Sequence, residues 1–127
     1  MRRRTELALA RGLGSARSGT RHWWAQRATA IALVPLSLWF VAGVVARAGD
    51  EHAAVVAWLG EPVTAVLVLS MIAATLHHAQ LGLRVVIEDY VHHEAGKLGA
   101  ILAVQALAVI LALAAALAVL RIALGGA

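Results

Sequence analysis

Cysteine is missing from all 127 residues. Its absence excludes a disulfide framework, a thiolate metal site, a Cys-ligated iron–sulfur cluster and a thiol nucleophile on this chain. Charge is scarce as well: 14% of residues are charged, where about 25% is usual in a soluble domain. Aromatic residues make up 5%, too few for a base-stacking surface, so no nucleic-acid role is expected. Apolar residues fill the gap at 61%, against about 45–50% in soluble domains. This composition argues against a soluble globular protein, and more strongly against disorder. The net charge is +4, but the basic residues collect beside apolar runs, which points to a membrane surface.

Three uncharged runs account for the composition: residues 28–46, 62–83 and 98–120. A helix needs about 20 apolar residues to cross a hydrocarbon core of roughly 30 Å. All three qualify, and a soluble protein rarely makes helices apolar on every face three times in succession. The expected fold is an all-α membrane protein with three transmembrane helices. A basic segment (1–27) precedes them, connections at 47–61 and 84–97 join them, and a short tail (121–127) follows. Ala46-Arg47-Ala48 faintly resembles a signal-peptidase site. A signal peptide, however, has an apolar region of about 7–15 residues and no leader as long as 1–27. Arg2-Arg3-Arg4 lacks the rest of a twin-arginine signal.

Basic residues set the orientation. Nine of the eleven Lys and Arg lie in 1–27 or 84–97; only Arg47 and Arg121 lie on the other side. Because the positive side stays inside, a cytoplasmic N-terminus and a periplasmic C-terminus are expected. The Arg-, Gly- and Ser-rich segment 1–20 reads as a flexible tail on anionic lipid or on a partner.

The start of the first span, Arg21-His22-Trp23-Trp24-Ala25-Gln26-Arg27, admits two readings. Trp anchors at the headgroup level and a snorkelling Arg27 are ordinary. Alternatively, Arg27 or His22 meets an anionic group such as a haem propionate. In the third span the single polar residue, Gln105, is expected to bond a neighbouring helix. The second span carries His77 and His78, and ionisable groups inside a span face a partner or a cavity. Adjacent helical residues point about 100° apart, so this pair cannot clasp one ion. One imidazole then serves as an axial ligand or as a hydrogen-bonded structural residue. His78 shares a face with Gly82, which leaves room for a flat macrocycle or for another helix. If the helix continues, Tyr90 sits about 18 Å along the axis from His78. Asp89, Tyr90, His92 and His93 would then gather at the cytoplasmic surface, too far from His77 and His78 to share one metal. A phenol can donate to a carbonyl, and an acid can supply protons; an interfacial Tyr anchor is the simpler alternative.

The run from His78 to Val91 (His, three residues, Gly, then an apolar stretch ending in Asp89-Tyr90) resembles the signature of the succinate dehydrogenase hydrophobic membrane anchor subunit, the D subunit of complex II. Gln26-Arg27-Ala28-Thr29-Ala30 resembles the start of that family's first span, and the resemblance covers roughly residues 22–120. It implies a bacterial inner-membrane protein that tethers flavoprotein and iron–sulfur subunits. It also implies a haem b shared with a cytochrome b556-type C anchor subunit and part of a ubiquinone site. On that resemblance His78 is the haem iron ligand with His77 as fallback, Tyr90 donates to a quinone carbonyl and Asp89 supports it. The chain would supply part of an enzyme and no complete active site. A fumarate reductase cytochrome b anchor and a non-redox structural or assembly protein are the alternatives.

Overall fold

The computed structural model describes the backbone of residues 16–125 and the side chains of residues 19–125. The expected flexible tail therefore lies outside the described residues up to residue 15. Four helices follow one another: α1 (Ala16–Ala46), α2 (His52–Gly60), α3 (Pro62–Tyr90) and α4 (Glu94–Ala123). α1, α3 and α4 are each long and apolar enough to cross a membrane. The 29 residues of α3 rise about 44 Å at 1.5 Å each, more than the hydrocarbon core requires. Every long helix outruns its uncharged run. α1 already includes residues 16–20, and α3 continues seven residues beyond Leu83. Within that extension Arg84 Nε donates to Glu88 Oε1 at 2.8 Å, an i,i+4 pair that supports another helical turn.

The breaks have local causes. Glu61 precedes Pro62, which disfavours a helical conformation there; its φ of −59° and ψ of 133° end α2 and start α3. Pro62 then occupies the first turn, where its missing N–H costs no helical bond. The α3–α4 connection shrinks to residues 91–93. His93 caps α4 by accepting the Gly96 N–H at Nδ1, and Glu94 places an acid in the first turn.

α3 is the centre of the arrangement. α1 packs on one side of it and α4 on another, and no Cα of α1 comes within 8 Å of one in α4. Little is buried: among the described residues only Trp58, Thr64, Ala65, Val68 and Leu81 are. Large apolar side chains cover the outside of α1 and α4, including Ile31, Leu38, Ile110 and Leu113. That pattern suits helices surrounded by lipid or by other membrane subunits. Gln105 faces α3 across a cavity of about 30 Å³ that it shares with Gln80 and Arg84, and the direct bond to a neighbouring helix expected of it is not formed among the described residues. The space has room and polar partners for one water.

At the end opposite Tyr90, α2 folds back under the helices. Trp58 lies against Trp39 and Phe40, and the Arg47 guanidinium covers its ring at 4.3 Å. Gly43 makes this possible, because a Cβ there would lie 2.5 Å from Trp58 Cζ2.

Candidate functional site

The polar residues of the span meet along the seam between α1 and α3. His22, Gln26 and Thr29 recur at four- and three-residue spacing, which puts them on one face of α1. Opposite them stand His78 and Gly82. Thr29 Oγ1 lies 2.9 Å from His78 Nδ1. The same hydroxyl lies 2.8 Å from the Ala25 carbonyl and 3.1 Å from that of Gln26. The His78 ring is thus fixed through Nδ1, and Nε2 has no hydrogen-bond partner among the described residues.

Gly82 faces α1 across the seam: the Gln26 amide nitrogen lies 3.7 Å from where a Cβ would stand, an ordinary van der Waals distance. Two buried atoms of the seam, His22 Nε2 and Gln26 Oε1, have no hydrogen-bond partner among the described residues.

His77 points elsewhere, as adjacent helical residues must. It is exposed and borders a groove of about 570 Å³ together with Arg21, His22, Arg84 and Glu88. Glu88 already pairs with Arg84, so among the described residues Arg21 is the unpaired charge at the groove, and the two imidazoles beside it add N–H donors suited to an anionic group. Arg27 is not part of it. Its guanidinium lies 5.1 Å above the Trp23 ring, and Trp23 and Trp24 are more than half exposed. This is the geometry of an interfacial anchor.

α3 runs unbroken to Tyr90, so the axial separation of about 18 Å from His78 applies. Tyr90 is 78% exposed and Asp89 is exposed beside it. The phenol has no hydrogen-bond partner among the described residues. Hence there are two separate places: an oriented imidazole within the span, and an open phenol–carboxylate pair at the helix end. Among the described residues no three His, Asp or Glu side chains converge to hold a bare metal ion. The residues present do suit a haem, which needs only one axial imidazole from this chain.

Sequence reasoning did not single out Thr29 as a partner of His78, nor Arg21 and Arg84 as groove residues. The available signal was the polar stripe His22–Gln26–Thr29 running into an otherwise apolar span.

Comparison with known proteins adds an independent observation. Residues 1–119 match the family described as succinate dehydrogenase/fumarate reductase transmembrane subunit. The succinate dehydrogenase hydrophobic membrane anchor subunit of Rickettsia bellii is 40% identical over 88 residues, which cover 69% of this chain and 70% of that protein. Its counterpart from Rickettsia conorii is 36% identical over 91 residues, covering 71% and 72%. That of Paracoccus denitrificans is 34% identical over 90 residues, covering 71% and 70%.

Proposed function

Because the chain belongs to the succinate dehydrogenase/fumarate reductase transmembrane subunit family, among its succinate dehydrogenase membrane anchors, we propose that it supplies one axial ligand to a haem b and part of a ubiquinone-reducing site, and tethers the catalytic subunits to the bacterial inner membrane. The observation that carries this reading is the His78 imidazole, held at Nδ1 and unpartnered at Nε2. His77 borders open space, but no bond orients its ring, so His78 is the ligand and His77 the fallback. Bound between this chain and a second, cytochrome b556-type anchor subunit, the haem supplies one-electron redox capacity within the membrane.

The chain's own residues do the following. His78 donates a lone pair from Nε2. At the groove, Arg21 offers positive charge and His22 an N–H donor to propionates, beside the Arg84–Glu88 pair. At the end of α3 the Tyr90 O–H donates to a quinone carbonyl, and Asp89 supplies or relays protons. Quinone reduction takes two electrons and two protons. With no cysteine this chain offers no thiolate for a cluster, so clusters that deliver the electrons would have to be held by a partner subunit. The excess of basic residues near the start of α1 and the end of α3 supports a cytoplasmic location for Tyr90, where soluble flavoprotein and iron–sulfur subunits would dock. The relatives are succinate dehydrogenase hydrophobic membrane anchor subunits, which supports succinate oxidation over fumarate reduction.

The test is a reduced-minus-oxidised spectrum of the complex isolated with its natural partners. A b-type band that is lost or altered in His78→Ala and retained in His77→Ala is expected. An unchanged low-spin spectrum in His78→Ala, or equal loss in both variants, would refute the ligand assignment. A colourless preparation without flavin or iron would refute the redox role.

A further inference from the structure

The three short contacts around Thr29 Oγ1 involve only one hydroxyl proton, and that fixes where the His78 proton must be. Carbonyl oxygens accept and never donate. If Thr29 gave its proton to His78 Nδ1, its oxygen would face the Ala25 carbonyl at 2.8 Å and the Gln26 carbonyl at 3.1 Å with no proton between them. Two oxygen dipoles would then repel at hydrogen-bond distance. If Thr29 gives its proton to the Ala25 carbonyl, with the Gln26 carbonyl as the longer arm of a shared bond, a usual arrangement for a helical Thr, the repulsion is removed. The hydroxyl then accepts from His78 Nδ1–H at 2.9 Å. A neutral imidazole protonated at Nδ1 has its lone pair at Nε2, the nitrogen left without a partner.

From this we infer that Thr29 is the positioning residue that selects the metal-binding tautomer of His78 and leaves Nε2 as the free donor nitrogen. The inference rests on the haem reading for its consequence at iron, but the tautomer itself follows from the contacts of this chain alone. An acceptor on the distal N–H of a ligating histidine fixes the ring and raises its donor strength, and losing such a partner typically costs about 10- to 100-fold in metal affinity. A stronger donor favours ferric iron, so removing Thr29 Oγ1 raises the haem midpoint potential.

Two measurements test this with Thr29→Val, which keeps the side-chain shape, Thr29→Ser, which restores the hydroxyl, and His78→Ala. Nitrogen-15 NMR of the histidine-labelled full chain in lipid bilayers, without haem, reads the tautomer directly. One imidazole is expected as the Nδ1–H form in the natural chain and in Thr29→Ser, and that signal should vanish in Thr29→Val and His78→Ala. Redox titration of the haem in the isolated complex reads the consequence. Thr29→Val should show a more positive midpoint potential and about 10- to 100-fold weaker haem retention, while Thr29→Ser stays near the natural value. Persistence of the Nδ1–H signal in Thr29→Val overturns the role of Thr29. An unchanged potential and haem content in Thr29→Val, when His78→Ala loses the haem, overturns it as well. If His78→Ala keeps an unaltered haem, the ligand assignment fails instead, while the NMR result still decides the Thr29–His78 bond.

Discussion

Replacing Tyr90 by Phe isolates one hydroxyl from everything else the residue does. Tyr90 is the last residue of α3 and is 78% exposed. Its hydroxyl bonds nothing among the described residues, and the helix end is held by the Val91 N–H donating to the Ile87 carbonyl at 3.0 Å, a bond the side chain does not touch. The substitution therefore leaves the fold within about 0.5 kcal/mol of the natural chain, as expected of an exposed position. In the proposed site the same hydroxyl would make one neutral hydrogen bond to the quinone, worth about 0.5–1.5 kcal/mol net. That energy corresponds to roughly a 2- to 13-fold loss in quinone-dependent kcat/KM. The loss grows if the bond strengthens as negative charge develops on the carbonyl oxygen during reduction. The assay compares succinate–ubiquinone reductase activity with succinate oxidation by an artificial acceptor that takes electrons before the quinone. The first should fall and the second stay near normal, with assembly and haem content retained. Unchanged quinone reduction would make Tyr90 an interfacial anchor and refute the site. Parallel loss of both activities with loss of the complex would make its role structural docking.

Two further predictions address the fold and its orientation. Gly43→Ala drives a methyl into Trp58, at 2.5 Å from Cζ2, and should destabilise the complex by about 1–3 kcal/mol. Gly99→Ala, with nothing within 4 Å, is the matched control in a thermal unfolding series and should leave stability unchanged or raised. For topology, a reporter fused after Ala127 should be periplasmic and one inserted at residues 91–93 cytoplasmic; the opposite labelling would place Tyr90 on the wrong side for soluble partners.

The three spans were legible because an uncharged run of 19 to 23 residues has few other uses. Their ends were not, because apolarity marks the extent of the lipid while the backbone hydrogen-bond ladder continues through charged residues such as Arg84 and Glu88. α2 was read as a polar connection. Nine residues are too few to declare a helix, and its position depends on Trp58 reaching Gly43, a contact between distant parts of the chain. His78 stood out because an imidazole in hydrocarbon is costly without a purpose. Thr29 did not, because a hydroxyl inside a span is usually satisfied by its own helix. Its bond to a residue 49 positions away is a product of packing. Gly82 shows the same limit: the gap was readable, but the residue that faces it, Gln26, belongs to another helix.

The separation of α1 and α4, no Cα of one coming within 8 Å of a Cα of the other, has a mechanical consequence. The molecule is joined along two independent seams that share a single spine, α3. α2 touches α3 and α4, and its Trp58 ring packs on Trp39 and Phe40 of α1. The Thr29–His78 bond lies in one seam and the Gln105 cavity in the other, so α3 is the strut that both load, while α2 acts as a brace tying the far ends of the two outer helices together.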